Sequence, residues 1–192
     1  MEVPGIRFAH REVKMNKILT GILARRAILA FTLLTITASI AAAQIKISGD
    51  GKCGKPDQQQ SIDVGDRAGH ALVLLKLSCT WTTPLEMEGL KSKDNTATIT
   101  SDVSGEKGQD RGYVVITMDN GDKAFLRFTG SVTTAKNATS TGEGTWSYAG
   151  GTGKLKGLTG KGTYKSTGNA DGAQEHVEGE YTLPPPAPKT KK

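Results

Sequence analysis

Few residues of this chain have the types and spacing that chemistry demands. Of three histidines, His10 falls in an N-terminal leader, which leaves His70 and His176. A neutral imidazole can serve as a general base near pH 7, so His70, at the mouth of an apolar run, is one candidate. Glu86 and Glu88 flank Met87, and the period of two in an extended segment puts both carboxylates on one side. Paired carboxylates can divide acid and base roles; a solvated edge strand explains the same spacing. Glu175, Glu178 and Glu180 are expected to face Lys161 and Lys165 across a terminal hairpin, as a surface charge ladder. No nucleophile–base–orienter set is visible.

The densest motif is Gly150-Gly151-Thr152-Gly153-Lys154-Leu155-Lys156-Gly157-Leu158-Thr159-Gly160-Lys161-Gly162. A phosphate loop needs Ser or Thr after Gly-Lys, but Gly162 follows Lys161. A dinucleotide fingerprint needs a third glycine where Lys156 stands, and both motifs require a strand–loop–helix setting. Cofactor binding is therefore not expected. The geometric alternative is a turn at Gly150, Gly151 and Gly153, then a plug made by Leu155 and Leu158 around Gly157. Close strand approach or a bulge is expected at Gly160 and Gly162. Asp119 and Asp122 lack the ligand spacing of a calcium loop, and no metal site is expected.

The elements that must carry these residues begin after a leader. Residues 15–43 contain a basic start (Lys17, Arg25, Arg26), an apolar run from Ala27 to Ile40, and Ala41-Ala42-Ala43. That is the layout of a signal peptide cleaved between Ala43 and Gln44, with Met15 a plausible true start. The run is short and diluted by Thr and Ser, against the roughly 20 apolar residues a span needs. No stable membrane span is expected after cleavage, and periplasmic or secreted localisation follows. The chain's formal charge of +6 shrinks once residues 1–43 are removed, leaving 19 basic against 17 acidic residues. A nucleic-acid partner, which requires a clustered basic surface, is not expected. Cys53 and Cys79 are the only cysteines, and an even pair in an exported domain is read as a disulfide.

Residues 44–183 read as one β domain, and 184–192 as a disordered Pro/Lys tail. His70 to Trp81 is apolar at both parities, so it is expected to be a central strand. Asn120-Gly121, between Tyr113–Met118 and Lys123–Phe128, predicts a two-residue type I′ hairpin. In that register Tyr113, Val115 and Thr117 face the core. Thr139–Tyr148, Lys161–Ser166 and Ala173–Leu183 supply further strands. The sum is an all-β, antiparallel, up-and-down barrel of about eight strands, with a β-sandwich as the alternative.

The aromatic pair Trp146 and Tyr148, followed by GGTG, an apolar residue, Gly and G-x-G-x-Tyr, resembles the allene oxide cyclase and dirigent-type barrel superfamily. Closer still is a group of small exported bacterial proteins without assigned activity. The resemblance to that group extends to Asp66-Arg67-x-Gly69-His70, Cys79-Thr80-Trp81, Asp102-Val103-Ser104-Gly105, Arg111-Gly112-Tyr113 and Met118-Asp119-Asn120-Gly121-Asp122. It implies an eight-stranded barrel. The plant enzymes' catalytic residues have no matching positions, so no cyclase activity is implied. Small barrels fill with side chains or hold one ligand. A non-enzymatic exported barrel holding a small apolar ligand is therefore expected. The alternatives are a cyclase or isomerase with an apolar pocket, and a structural or adhesive surface protein.

Overall fold

The computed structural model describes residues 44–185. The segment read as a signal peptide and the basic end of the tail lie outside the described residues. Ten strands follow one another: β1 (Ile45–Cys53), β2 (Gln58–Asp63), β3 (His70–Thr83), β4 (Glu86–Met87), β5 (Leu90–Ser104), β6 (Lys107–Met118), β7 (Lys123–Thr134), β8 (Ser140–Gly151), β9 (Thr159–Asn169) and β10 (Gly172–Thr182). All pairings are antiparallel. β3 pairs with both β1 and β5, and β1 pairs with β10, so β1, β3 and β5 to β10 close an eight-stranded barrel. β2 and β4 are short additions on β3 and β5. Closure excludes the sandwich.

One face of each strand turns inward, and the interior is built from large rings set against glycines. Trp146 lies over Gly162 and Gly179, where an added Cβ would sit 2.4 and 2.5 Å from its ring. Phe128 lies over Gly112 in the same way. Phe128 and Tyr164 meet edge to face at 5.5 Å between centroids, as do Trp146 and Tyr148 at 4.9 Å. Such pairs add about 0.5–1.5 kcal/mol to area burial. One end of the barrel is stoppered by Leu85, Met87, Met118, Leu155 and Leu158, all fully buried. Leu155 ends a 3₁₀ turn, Gly153–Leu155, and Leu158 follows it, its N–H donating to the Leu155 carbonyl at 3.0 Å. Each such side chain contributes about 1.5–3 kcal/mol on burial.

β3 is a central strand, as expected, paired with β1 and β2 along one edge and with β5 along the other. Its burial alternates, and Leu72 and Leu74 remain 45 % and 49 % exposed, because the barrel's outer surface has no second layer. One sequence expectation is corrected by the barrel: Asn120-Gly121 does not form a type I′ turn. Thr117 pairs with Lys123 and Val114 with Leu126, a register one residue away from that of a two-residue loop. Gly121 N–H donates to the Met118 carbonyl (3.0 Å), and only Gly121 has positive φ, +89°. This is a three-residue loop, a turn followed by a left-handed glycine. A slip of one residue reverses every side chain, so Val114, Ile116 and Met118 face in, while Tyr113 is 68 % exposed. The two-residue turn with both φ positive occurs instead at Glu88-Gly89, between the paired Met87 and Leu90. Gly121→Val is still expected to destabilise the β6–β7 hairpin, by about 1–2 kcal/mol, because a β-branched residue resists this backbone. A urea melt that matches wild type would show that the turn does not require Gly121.

Cys53 and Cys79 are a disulfide between directly paired residues of β1 and β3. On the chain-entropy account, closing the loop between them stabilises the fold by about 3–4 kcal/mol. The Gly-, Asp- and Gln-containing segment from residue 50 to 63 belongs partly to β1 and β2, laid along β3 on either side of an irregular stretch after Cys53. The disulfide places the folded protein in an oxidising, non-cytoplasmic compartment. No helix among the described residues is long and apolar enough to cross a membrane.

Candidate functional site

Beyond the plug, the barrel interior holds a cavity of about 140 Å³. Its walls are apolar at Leu77, Ala97, Ile99, Val114, Phe128 and Val177, with the disulfide on one side. Its polar groups come from four strands. Asp110 projects from β6, Glu175 from β10, Tyr164 from β9 and Asn95 from β5, all by the same inward parity as their apolar neighbours. Asp110 and Glu175 sit near the hairpin ends Ser104–Lys107 and Asn169–Gly172, opposite the plug. The result is a cup with an apolar floor and acidic upper wall.

Glu175 receives one hydrogen bond from Asn95 Nδ2 (3.2 Å). Its carboxylate lies within 4.8 Å of both sulfurs of the disulfide. Gly51 makes room for it, since a Cβ there would sit 2.7 Å from Glu175 Oε1. Burial pushes the Glu175 carboxyl above the ordinary range, against the opposing bond from Asn95. Burial likewise raises Asp110, with a hydrogen bond from Ser101 opposing. The Tyr164 hydroxyl is pushed up to about 12, first by burial and then by the Asp110 and Glu175 charges. Among the described residues two buried side-chain polar atoms have no partner: the Asp110 Oδ1 acceptor and the Trp81 Nε1–H donor. Both residues line the cavity.

The residues singled out in the sequence lie elsewhere. Glu86 and Glu88 are exposed on the outside of the plug, where Glu86 approaches Lys91 at 3.4 Å and Glu88 occupies the turn. Glu178 and Glu180 face outward, Glu180 opposite Lys161, but Glu175 does not belong to that ladder. It has the parity of Val177 and Tyr181 and therefore points in. His176 is exposed and bonded to Asp50 through Nδ1 (2.8 Å). Within the glycine motif, Gly150, Gly153, Gly157 and Gly160 have positive φ. Gly151 and Gly162 are points of close backbone approach. Lys154 and Lys161 are exposed, and Lys154 N–H donates to Asp122 Oδ2 at 3.0 Å.

His70 lies on the outer side of β3, buried under the residue 64–69 loop. Its Nδ1 pairs with Asp66 and its Nε2 with Asp102 (2.9 Å), while Arg67 Nε donates to Ser104 Oγ (3.1 Å). The motifs Asp66-Arg67-x-Gly69-His70 and Asp102-Val103-Ser104-Gly105 are thus two halves of one clasp between β3 and β5. The Asp66 and Asp102 hydrogen bonds raise His70, and the His70 bond lowers Asp66. The His70 contribution is full below pH 6.5 and is lost as pH rises through the raised folded value. The Asp66 contribution is full above about pH 4 and is lost as pH falls through the lowered one. Melting temperature is therefore expected to lose support on both sides of that window, and His70→Gln to flatten the alkaline limb. An unchanged alkaline limb in His70→Gln would remove the clasp from the stability account.

No family model matches the chain, and no curated protein sequence matches it. Among solved structures it is similar to a pyocyanin demethylase, at 19 % identity and TM-score 0.39, over 70 % of this chain and 99 % of that one. It is similar to a conserved protein of unknown function from Rhodopseudomonas palustris, at 8 % identity and TM-score 0.44, over 72 % and 98 % of the chains. A pterocarpan synthase dirigent protein aligns at 12 % identity and TM-score 0.45, over 76 % and 90 %. None of the three bears on the ligand or chemistry of this barrel.

Proposed function

We propose that this protein is an exported binding cup for a small, flat, largely apolar molecule that carries both a hydrogen-bond donor and an acceptor. The observation behind this reading is the orphaned pair in the cavity wall, an acceptor on Asp110 and a donor on Trp81. A buried polar group without a partner costs about 1–3 kcal/mol, so a ligand satisfying both is held by groups already desolvated. Room for one aromatic ring is consistent with the volume, since an apolar cavity of about 150 Å³ takes benzene. Export through residues 15–43, with a mature start at Gln44, belongs to the same proposal.

An acid–base enzyme of the isomerase kind is the second reading, favoured by two buried carboxyls and a tyrosine around one cavity. Carboxyls raised toward neutrality can hold a proton and return it. Calorimetric titration with benzene, phenol and 4-hydroxybenzaldehyde tests the proposal. Binding should strengthen along that series as the donor and then the acceptor are added.

A further inference from the structure

We propose that the outer face of β5 to β8 binds an acidic polysaccharide. This face is separate from the interior cup and comes from the opposite parity of the same strands. Cross-strand pairing aligns Thr98, Tyr113, Arg127 and Ser147 in one transverse row. The adjacent row is Thr100, Arg111, Thr129 and Thr145. Together they line part of a broad open groove of about 1460 Å³ that continues across β9, β10 and β1 and is floored in part by Gly112, which contributes no side chain.

Three features of the rows define the partner. Tyr113 is 68 % exposed, an aromatic ring available to the C–H face of a sugar. Arg111 and Arg127 flank it, and neither forms an ion pair among the described residues. Two free guanidinium forks suit planar carboxylates, which they hold bidentately. The remaining positions are hydroxyls, spaced along a rigid sheet where a sugar's own hydroxyls need partners. The nearest outward acids are Asp102, held by His70, and Glu143, one row beyond Thr100 and Thr145, while Glu178 and Glu180 lie on β10, beyond β9. A polyphosphate is a poorer fit: residues 44–188 carry 16 basic against 17 acidic residues and no general excess of positive charge.

Affinity electrophoresis of the purified protein through gels containing polygalacturonate tests this, with dextran and an oligothymidylate as comparators, at about 0.1 M salt. The expected result is retardation by polygalacturonate alone. Arg111→Ala and Arg127→Ala should each weaken it about tenfold. Tyr113→Ala should weaken it while Tyr113→Trp retains it, and Lys136→Ala, at the exposed β7–β8 tip, should change nothing. Absence of retardation, equal retardation by dextran, stronger retardation by the oligothymidylate, or arginine variants that behave as wild type would each overturn the proposal. Because Arg111, Tyr113 and Arg127 do not line the cup, failure here leaves the interior site standing.

Discussion

Gly162→Val should strip the barrel of a large share of its stability. The first added carbon would lie 2.0 Å from the Glu178 carbonyl and 2.4 Å from the Trp146 ring. Neither neighbour can yield. The carbonyl belongs to the β9–β10 ladder, and the ring is pinned by its Nε1–H bond to the Thr163 carbonyl at 3.0 Å. Overpacking a core costs about 1–3 kcal/mol where atoms can shift, and more where backbone must move. Against a typical net stability of about 5–15 kcal/mol, a loss of 4 kcal/mol or more is expected. The neighbouring Thr163→Val, on the exposed side of the same strand, should stay within about 0.5 kcal/mol. Urea melts of the pair decide the matter. A Gly162→Val protein as stable as wild type would show that Trp146 is not packed on this strand.

The second large effect is a trade between stability and binding in the cup. Glu175 and Asp110 are both raised, so their contribution is fully present below the unfolded carboxylate values near pH 4 and is lost as pH rises through the folded ones. Wild type should accordingly lose stability between about pH 4 and neutrality. Glu175→Gln and Asp110→Asn, which cannot ionise, should hold theirs and melt higher than wild type at pH 7. The same Asp110→Asn change should weaken a ligand hydrogen-bonded to Oδ1 about tenfold, the value of one charge-assisted bond. A group that costs stability and supports binding marks a functional site. Variants that melt lower at pH 7 and bind the probes unchanged would mark the two acids as structural.

Much of the barrel was legible in local sequence. Strand runs, the Cys53–Cys79 pair, and the Leu155–Leu158 plug among glycines all follow from short-range patterns, and the structure contains each of them. The interior acids were less accessible. A two-residue loop at Asn120-Gly121 turns Tyr113, Val115 and Thr117 inward, whereas the three-residue loop turns in Val114 and, on the same parity, Asp110. One residue of register decides which face is inside, and the sequence around this turn supports both loop lengths. Glu175 did carry a signal, its even spacing from Val177 and Tyr181. Lysines on the facing strand made a surface ladder the simpler account. His70 drew notice for its chemistry, yet its partners Asp66 and Asp102 come from residues brought together only by β3–β5 pairing.

The central claim, a cup that holds one small ring with a donor and an acceptor, is tested most directly by calorimetric titration of 4-hydroxybenzaldehyde against wild type, Asp110→Asn and Trp81→Phe. Trp81→Phe removes the orphaned indole N–H while keeping an aromatic ring in the wall. The expected result is saturable one-to-one binding to wild type, stronger than that of phenol or benzene, and about tenfold weaker in each variant. Absence of binding, or binding of the aldehyde that neither variant alters, would contradict the claim.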